Sequence, residues 1–430
     1  AGDVRMTIAL PIENHGCGCD SAIARKGLVS IDAALERIAS GVTPLGGVEE
    51  VPLARAAGRV LAHPLKARAN TPPFDSAAMD GYALSLSDLP GAGPWHLQIA
   101  ARVAAGQSGP ALPPGTVARI FTGAPLPEAA DAVIMQEEVT LEGGAVCIIR
   151  RPQAGENIRR AGEDMQKGAE VLSKGALLGP REIAVASAAG HGSVPVSRRI
   201  RTALLVTGSE VQAAGQSLGD AAIWDINTPV LTACLSIPSV ELVAVETATD
   251  DPTALVTQVE ALAARADLLV TTGSISVGEA DFVKPVFERL GGKTLFSGVA
   301  MKPGKPVSAG RIDRATWLGL PGNPVSALLT WQLFGTEILR RLGGQTDPRP
   351  VRRHVVLADP IRRKPGRCEL RPAQICGFDA QGREVVRFDG ATHSARVAGL
   401  PLCDGVLMLP AETDHLPQGA LVEFMPFHCN

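Results

Sequence analysis

The stretch FSGVAMKPGKPV, residues 296–307, sets Lys302 and Lys305 three positions apart on a segment that Pro303 and Pro306 stiffen and Gly304 turns. Proline fixes φ and carries no amide donor, so this segment is neither helix interior nor central strand. Lysines are ordinarily solvated, yet a lysine also binds phosphate as a point charge. The segment alone leaves both readings open. Acidic and amide side chains recur elsewhere in similar settings. Glu210 follows the apolar run TALLVTG; Asp250 and Asp251 follow LVAVET; Ser276, Glu279 and Asp281 lie in SISVGEAD after DLLVTTG; Gly322, Asn323 and Ser326 lie in PGNPVS after WLGL. Hard carboxylate oxygens suit Mg2+, and Mg2+ together with lysines suits a phosphorylated substrate. A second acidic stretch, TPPFDSAAMDGYAL (71–84), holds Asp80 beside the single tyrosine, Tyr82, and RIFTGAPLP (119–127) holds Thr122 just past a strand-like run. Each residue also has a structural reading. One of Asp250 and Asp251 caps a helix, Asp281 can do the same, and serines and glycines form turns. What weakens these readings jointly is that the acidic groups and the two lysines converge on one predicted rim.

The elements that must hold these residues follow from periodicity. Ser30 can cap a helix near 30–40 with Ile31, Leu35 and Ile38 on one face. Residues 60–150 are rich in Gly and Pro and contain short strands such as VARIF, AVIMQ and AVCII, a β-rich pattern. Pro180 suits the first turn of a further helix. From 200 the pattern changes. TALLVTG and DLLVTTG read as buried strands, and LVAVET and WLGL as further strands, alternating with helices near 227–236, after DDP, around Val283 and Phe287, and from PGNP onward. Such alternation predicts an open α/β domain with a mainly parallel sheet, in which ligands bind beyond the carboxyl ends of the strands. The KPGK turn is expected to join the helix after the third strand to WLGL. HVVLA, CELRPA, EVVRF, GVLML and LVEFM predict a small C-terminal β-barrel or sandwich. The expected division is therefore an arm at 1–27, a discontinuous linking domain at 28–50 and 160–199, a β-rich insert at 51–159, the α/β domain at 200–347 and the barrel at 348–430.

Composition narrows the classes. The chain has 430 residues, 45% apolar and 20% charged, with a net charge of −3, which suits a globular protein and implies no broad basic face for nucleic acid. No apolar run approaches the roughly 20 residues of a membrane span, and residues 1–30 do not read as a secretory signal. The eight cysteines contain no CxxC pair, which argues against zinc and for reduced, cytoplasmic thiols; Cys17 and Cys19 fall in the arm. Common catalytic templates fail. RLGGKT lacks the first glycine of a P-loop, having Phe287 there, and no H-x-x-x-H pair occurs.

Seven stretches in order, PPFDSAAMDGYA, RIFTGAPLPEAADAVIMQEE, ENIRRAGEDMQKGAEVL, TGSEV, TTGSISVGEADFVKPV, VAMKPGKPV and GLPGNPVSAL, resemble the molybdopterin molybdotransferase family, which includes the MoeA proteins and the gephyrin E domain. The likeness runs from about 30 to 340 and continues more loosely to the end. It implies an enzyme that uses Mg2+ to insert molybdate into adenylyl-molybdopterin, releasing AMP and molybdenum cofactor. It implies a cytoplasmic homodimer that exchanges its substrates with a molybdopterin adenylyltransferase and with recipient molybdoenzymes or their chaperones, and that engages neither nucleic acid nor membrane. By motif, Asp80 and Thr122 would reach a catalytic cleft from the partner subunit. Glu210, Asp250 and Asp281 would be catalytic and hold the metal, and Ser276, Lys302, Lys305, Gly322, Asn323 and Ser326 would bind the cofactor. Gly298 departs from the family pattern, standing where most relatives carry a basic residue. A non-catalytic cofactor carrier or scaffold of the same fold is the alternative reading.

Overall fold

The computed structural model describes residues 27–208, 210–248, 251–273, 283–346, 352–388, 390 and 393–427. They divide into two compact units, one drawn from Ala1–Val48, Gly58–Val60 and Ser197–Asn430, the other from Glu49–Ala57 and Leu61–Val196. In the first, α1 (Ile31–Gly41) starts as the sequence predicts: the Ser30 hydroxyl accepts from the Ala33 amide at 3.1 Å, and Ile31, Ala34, Leu35 and Ile38 are buried.

The second unit is β-rich. Its main sheet contains β1 (Gly81–Leu84), β2 (Trp95–Val103), β3 (Thr116–Ile120), β4 (Ala132–Met135), β5 (Val139–Glu142) and β6 (Ala145–Ile148), ordered β4-β1-β3-β2-β6-β5. VARIF, AVIMQ and AVCII supply β3, β4 and β6. Tyr82 is buried in the core of this sheet with Leu84, Val117 and Ile134, and the Arg119 guanidinium lies over its ring at 5.1 Å. The lone tyrosine thus supplies a ring for cation–π contact at a position where the apolar body is covered. The helix α2 (Pro180–Ala188) begins on its proline, as expected.

In the first unit, β7 (Ile200–Thr207), α3 (Asn227–Leu235), β8 (Val240–Ala248), α4 (Pro252–Arg265), β9 (Leu268–Thr272) and α5 (Val283–Arg289) follow in turn. Then come β10 (Lys293–Ser297), the short β11 (Met301–Lys302), β12 (Ser308–Ile312), β13 (Ala315–Leu320), α6 (Pro324–Thr330) and α7 (Thr336–Gly343), the two helices joined by a π-helical turn at Trp331–Gly335. The sheet order is β8-β7-β9-β13-β12-β10. β8, β7, β9 and β13 are parallel; β12 and β10 extend the sheet antiparallel. Helices cover both faces. Leu204, Val206, Leu268 and Leu318 pack with α1, α3 and the α6–α7 segment, while Leu205, Leu269 and Trp317 pack with α4 and α5. Asp251 caps α4, accepting from Thr253 and Ala254, so the capping reading holds for that aspartate.

The KPGK connection differs from expectation. It links β10 to β12, and two antiparallel strands stand between α5 and β13. β10 escaped the sequence reading because it is an edge strand, KTLFS, in which only Phe296 is buried; an exposed edge strand carries no continuous apolar run.

The five predicted C-terminal strands are β14 (Arg353–Leu357), β15 (Cys368–Phe378), β16 (Glu384–Arg387), β17 (Gly405–Leu409) and β18 (Leu421–Pro426). Their order is β15-β16-β14-β18-β17, and pairing of β17 back to β15 closes a five-stranded barrel. The eleven-residue β15 also pairs with β11, Lys302 standing opposite Glu369. The chain is thus a multidomain α/β and β protein with a C-terminal barrel.

Candidate functional site

The ladder registers define one rim. Leu205 pairs with Thr271, Thr271 with Gly319, Gly319 with Ser308 and Ser308 with Ser297. The turns that leave this level, after β7, β9 and β13 and between β10 and β12, therefore all emerge at the carboxyl end of the parallel strands, where open α/β sheets bind ligands.

The centre of the rim is tied by hydrogen bonds. The Thr207 hydroxyl donates to the Thr272 carbonyl at 3.4 Å, and the Thr272 hydroxyl donates to the Pro321 carbonyl at 3.0 Å. The side-chain amide of Asn227, the first residue of α3, donates to Thr272 Oγ1 at 3.1 Å and to the Gly322 carbonyl at 2.7 Å. Gly273 has φ +89°, and a Cβ there would lie 2.4 Å from the Thr207 carbonyl oxygen. Only glycine lets these two strand ends approach so closely. Gly322 passes over Gly273, with a Cβ at 322 meeting the Gly273 Cα at 3.4 Å. The floor of the rim is consequently bare backbone.

Both amide protons of Asn227 are committed, which fixes the orientation of the amide. Its Oδ1 and the Thr228 hydroxyl are buried and find no partner among the described residues. A buried polar atom without a partner costs roughly 1–3 kcal/mol, so these two oxygens point to a polar ligand. The sequence reading missed them. The available signal was WDIN at a helix start on the same rim: Asp225 accepts from the Thr228 amide at 2.9 Å and anchors that turn.

Glu210 is exposed and its carboxylate folds back toward Gly208 at the end of β7, Oε2 lying 2.9 Å from where a Cβ on that glycine would stand. Lys302 and Lys305 are at the other wing of the rim. From β7 to the β10–β12 turn is between three and four strand steps, roughly 15–20 Å at a spacing of about 4.8 Å. Glu210 and the lysines therefore do not converge on one atom; they line an elongated strip with the glycine floor between them.

The lysine turn is held from three sides. Gly304 is pressed against Thr330 of α6 and Met301, a Cβ there coming within 2.6 Å of Thr330 Cγ2. The Val299 amide donates to the Lys305 carbonyl at 2.9 Å, and β11 docks on the barrel strand β15. Glu369, opposite Lys302, is buried and already engaged by Arg363 and Arg371, each at 3.1 Å. Among the described residues neither lysine makes an ion pair, so both charges remain available to an anion. At Gly298 the backbone has φ +81° and a Cβ would meet Leu28 Cδ2 at 2.7 Å. The positive φ disfavours a side chain here. The barrel also reaches α6, the Ser394 carbonyl accepting from the Val325 amide at 3.0 Å. Asn323 immediately precedes α6, and Ser326 within it is buried.

Asp80 and Thr122 meet in the β-rich unit. The amide and the hydroxyl of Thr122 both donate to Asp80 Oδ1, each at 2.8 Å. These bonds, the backbone one foremost, hold the Asp80 carboxyl below the usual carboxylate range. Asp250, Ser276 and Asp281 lie outside the described residues.

Three family models match this chain in succession. Residues 29–190 match the MoeA N-terminal region (domains I and II), residues 203–341 a probable molybdopterin binding domain, and residues 354–427 the MoeA C-terminal region (domain IV). A molybdopterin molybdenumtransferase of Haemophilus influenzae is 33% identical over 386 residues, 88% of this chain and 94% of its own length. Molybdopterin molybdenumtransferase 2 of Mycobacterium tuberculosis is 34% identical over 384 residues, 87% of this chain and 93% of its own. The crystal structure of the molybdopterin biosynthesis MoeA protein of Pyrococcus horikoshii OT3 superposes with a TM-score of 0.79 at 27% identity, covering 93% of this chain and all of that one.

Proposed function

Because this chain belongs to the molybdopterin molybdenumtransferase family, we propose that it inserts molybdate into adenylyl-molybdopterin and releases AMP and molybdenum cofactor. The observation that supports this most is the strip itself: exposed carboxylate at one wing, unpartnered buried oxygens and bare backbone in the middle, two uncommitted lysines at the other wing. A length of roughly 15–20 Å suits an extended molecule carrying a pterin, a phosphoanhydride and a nucleoside better than a compact one.

In this reading Lys302 and Lys305 bind anionic oxygen, either on the phosphoryl groups or on molybdate, and stabilise charge as the phosphoanhydride bond to AMP breaks. Asn227 Oδ1 and the Thr228 hydroxyl take polar groups of the substrate and set its position along the strip. Glu210 offers an exposed oxygen donor that fits a hard cation, and Asp250 and Asp281 complete the set by motif; bound there, Mg2+ would supply charge neutralisation at phosphoryl oxygen. Asp80, kept ionised by Thr122, would enter the cleft from the second subunit of a homodimer.

The test supplies purified protein with adenylyl-molybdopterin, molybdate and Mg2+ and follows AMP. Molybdate-dependent AMP release, abolished by chelation of the metal, is expected. Lys302→Ala or Lys305→Ala should raise KM by at least about tenfold, the equivalent of one lost charged contact of about 1.4 kcal/mol or more. Absence of AMP release from the intact chain would overturn the proposal.

A further inference from the structure

The β-rich unit carries a second group of chemically active side chains that the proposed transferase site does not use. His96 opposes Cys147 across the antiparallel β2–β6 ladder, and on the other side of β6 Thr140 opposes Cys147 and Glu142 opposes Ala145. Because side chains alternate along a strand, His96, Cys147 and Glu142 project from one face, while Val146 and Ile148 point into the core beneath the other. The His96 Nε2 and Glu142 Oε2 atoms are 3.2 Å apart, and the donor atoms of all three residues lie within 4.8 Å of one another. The group is remote from Asp80 and Thr122 along the strands. β2 runs parallel to β3, so His96 near the start of β2 sits at the opposite end from Thr122, which follows β3.

A surface His–Glu pair needs no thiol and contributes little. The addition of Cys147 on the intervening strand changes the chemistry, since imidazole nitrogen, carboxylate oxygen and thiolate sulfur form a borderline-soft donor set. We propose that His96, Glu142 and Cys147 bind a thiophilic divalent cation, Zn2+, with water in the fourth position. Zinc–ligand distances of about 2.0–2.3 Å put tetrahedral donors roughly 3.3–3.8 Å apart. Side-chain rotation of about 1 Å closes the group to that spacing, and His96 and Glu142, 50% and 59% exposed, are free to make it. Binding converts the Cys147 thiol to a thiolate and releases its proton to solvent. With one ligand from each of β2, β5 and β6, the cation would clamp the edge hairpin of the sheet to its interior.

The test titrates Co2+ into the reduced, metal-free full-length chain without substrate, so its outcome is independent of transferase activity. One equivalent should produce a thiolate-to-cobalt charge-transfer band that Zn2+ displaces. Cys147→Ser should abolish the band, and His96→Gln, at an exposed position that leaves the fold intact by circular dichroism, should weaken binding by at least about tenfold. A Cys17→Ser/Cys19→Ser double variant should behave as the parent. The proposal is overturned if the parent gives no band, if the band survives both Cys147→Ser and His96→Gln, or if it disappears with Cys17 and Cys19.

Discussion

Asp80 and Thr122 were each singled out from separate motifs, 42 positions apart, and fold into a single hydrogen-bonded pair. Their types were legible in the sequence; their contact was not, because it depends on β1 pairing with β3. The pair makes a pH prediction. Thr122→Val keeps the amide donor and removes the hydroxyl, so the Asp80 carboxyl should rise toward its ordinary value. If Asp80 acts as a carboxylate, the acid limb of the kcat/KM profile moves to higher pH; an unmoved limb would remove its ionisation from the mechanism. Asn227 shows the converse. It is an unremarked residue at a helix start in the sequence, and only its two committed amide protons and its lone buried oxygen mark it out.

At the scale of elements, the opposite end of the α/β sheet is secured by Asp267, which precedes β9. Its buried carboxylate takes Arg198 at 2.7 Å and Arg201 at 3.1 Å. Burial by itself would raise its pKa, but the hydrogen bonds from Arg198 and Arg201 together outweigh burial and hold it far below the carboxylate range. A depressed folded pKa contributes stability that is complete above the unfolded value near 3.9 and is lost as pH falls through the folded value. Asp267→Asn should therefore cost about 2–3 kcal/mol at pH 7, measured by urea unfolding, and the gap to the parent should narrow below about pH 4. The folded variant should keep its kcat, since the clasp lies at the amino ends of strands whose carboxyl ends carry the strip. A gap that stays constant into acid would show that the ion pairs do not supply the difference.

At the scale of the whole molecule, the proposed homodimer joins Asp80 of one subunit to the lysines of the other. Asp80→Asn and Lys302→Ala chains, each strongly impaired alone at substrate well below KM, should then complement. Mixed in equal amounts under exchanging conditions, they form heterodimers with one intact site and should recover about a quarter of the parent AMP release. No recovery despite demonstrated heterodimers would place both residues in one subunit's site.

Most of the architecture could be read before any coordinates. Continuous apolar runs such as TALLVTG and DLLVTTG fit strands covered on both faces, a proline after Asp251 suits the first turn of a helix, and the ordered motifs carry the family. Those are local properties, written in consecutive residues. What required the folded chain was everything set by pairing between distant segments. The antiparallel strands β10 and β12 bring KPGK to the rim, the glycine floor lets strand ends touch, and the barrel docks on β11. His96, Glu142 and Cys147, too far apart in sequence for any ligand spacing to be recognised, come within 4.8 Å because three strands lie side by side. A sequence specifies side-chain chemistry position by position, but proximity between strands is decided by register, which only tertiary packing selects.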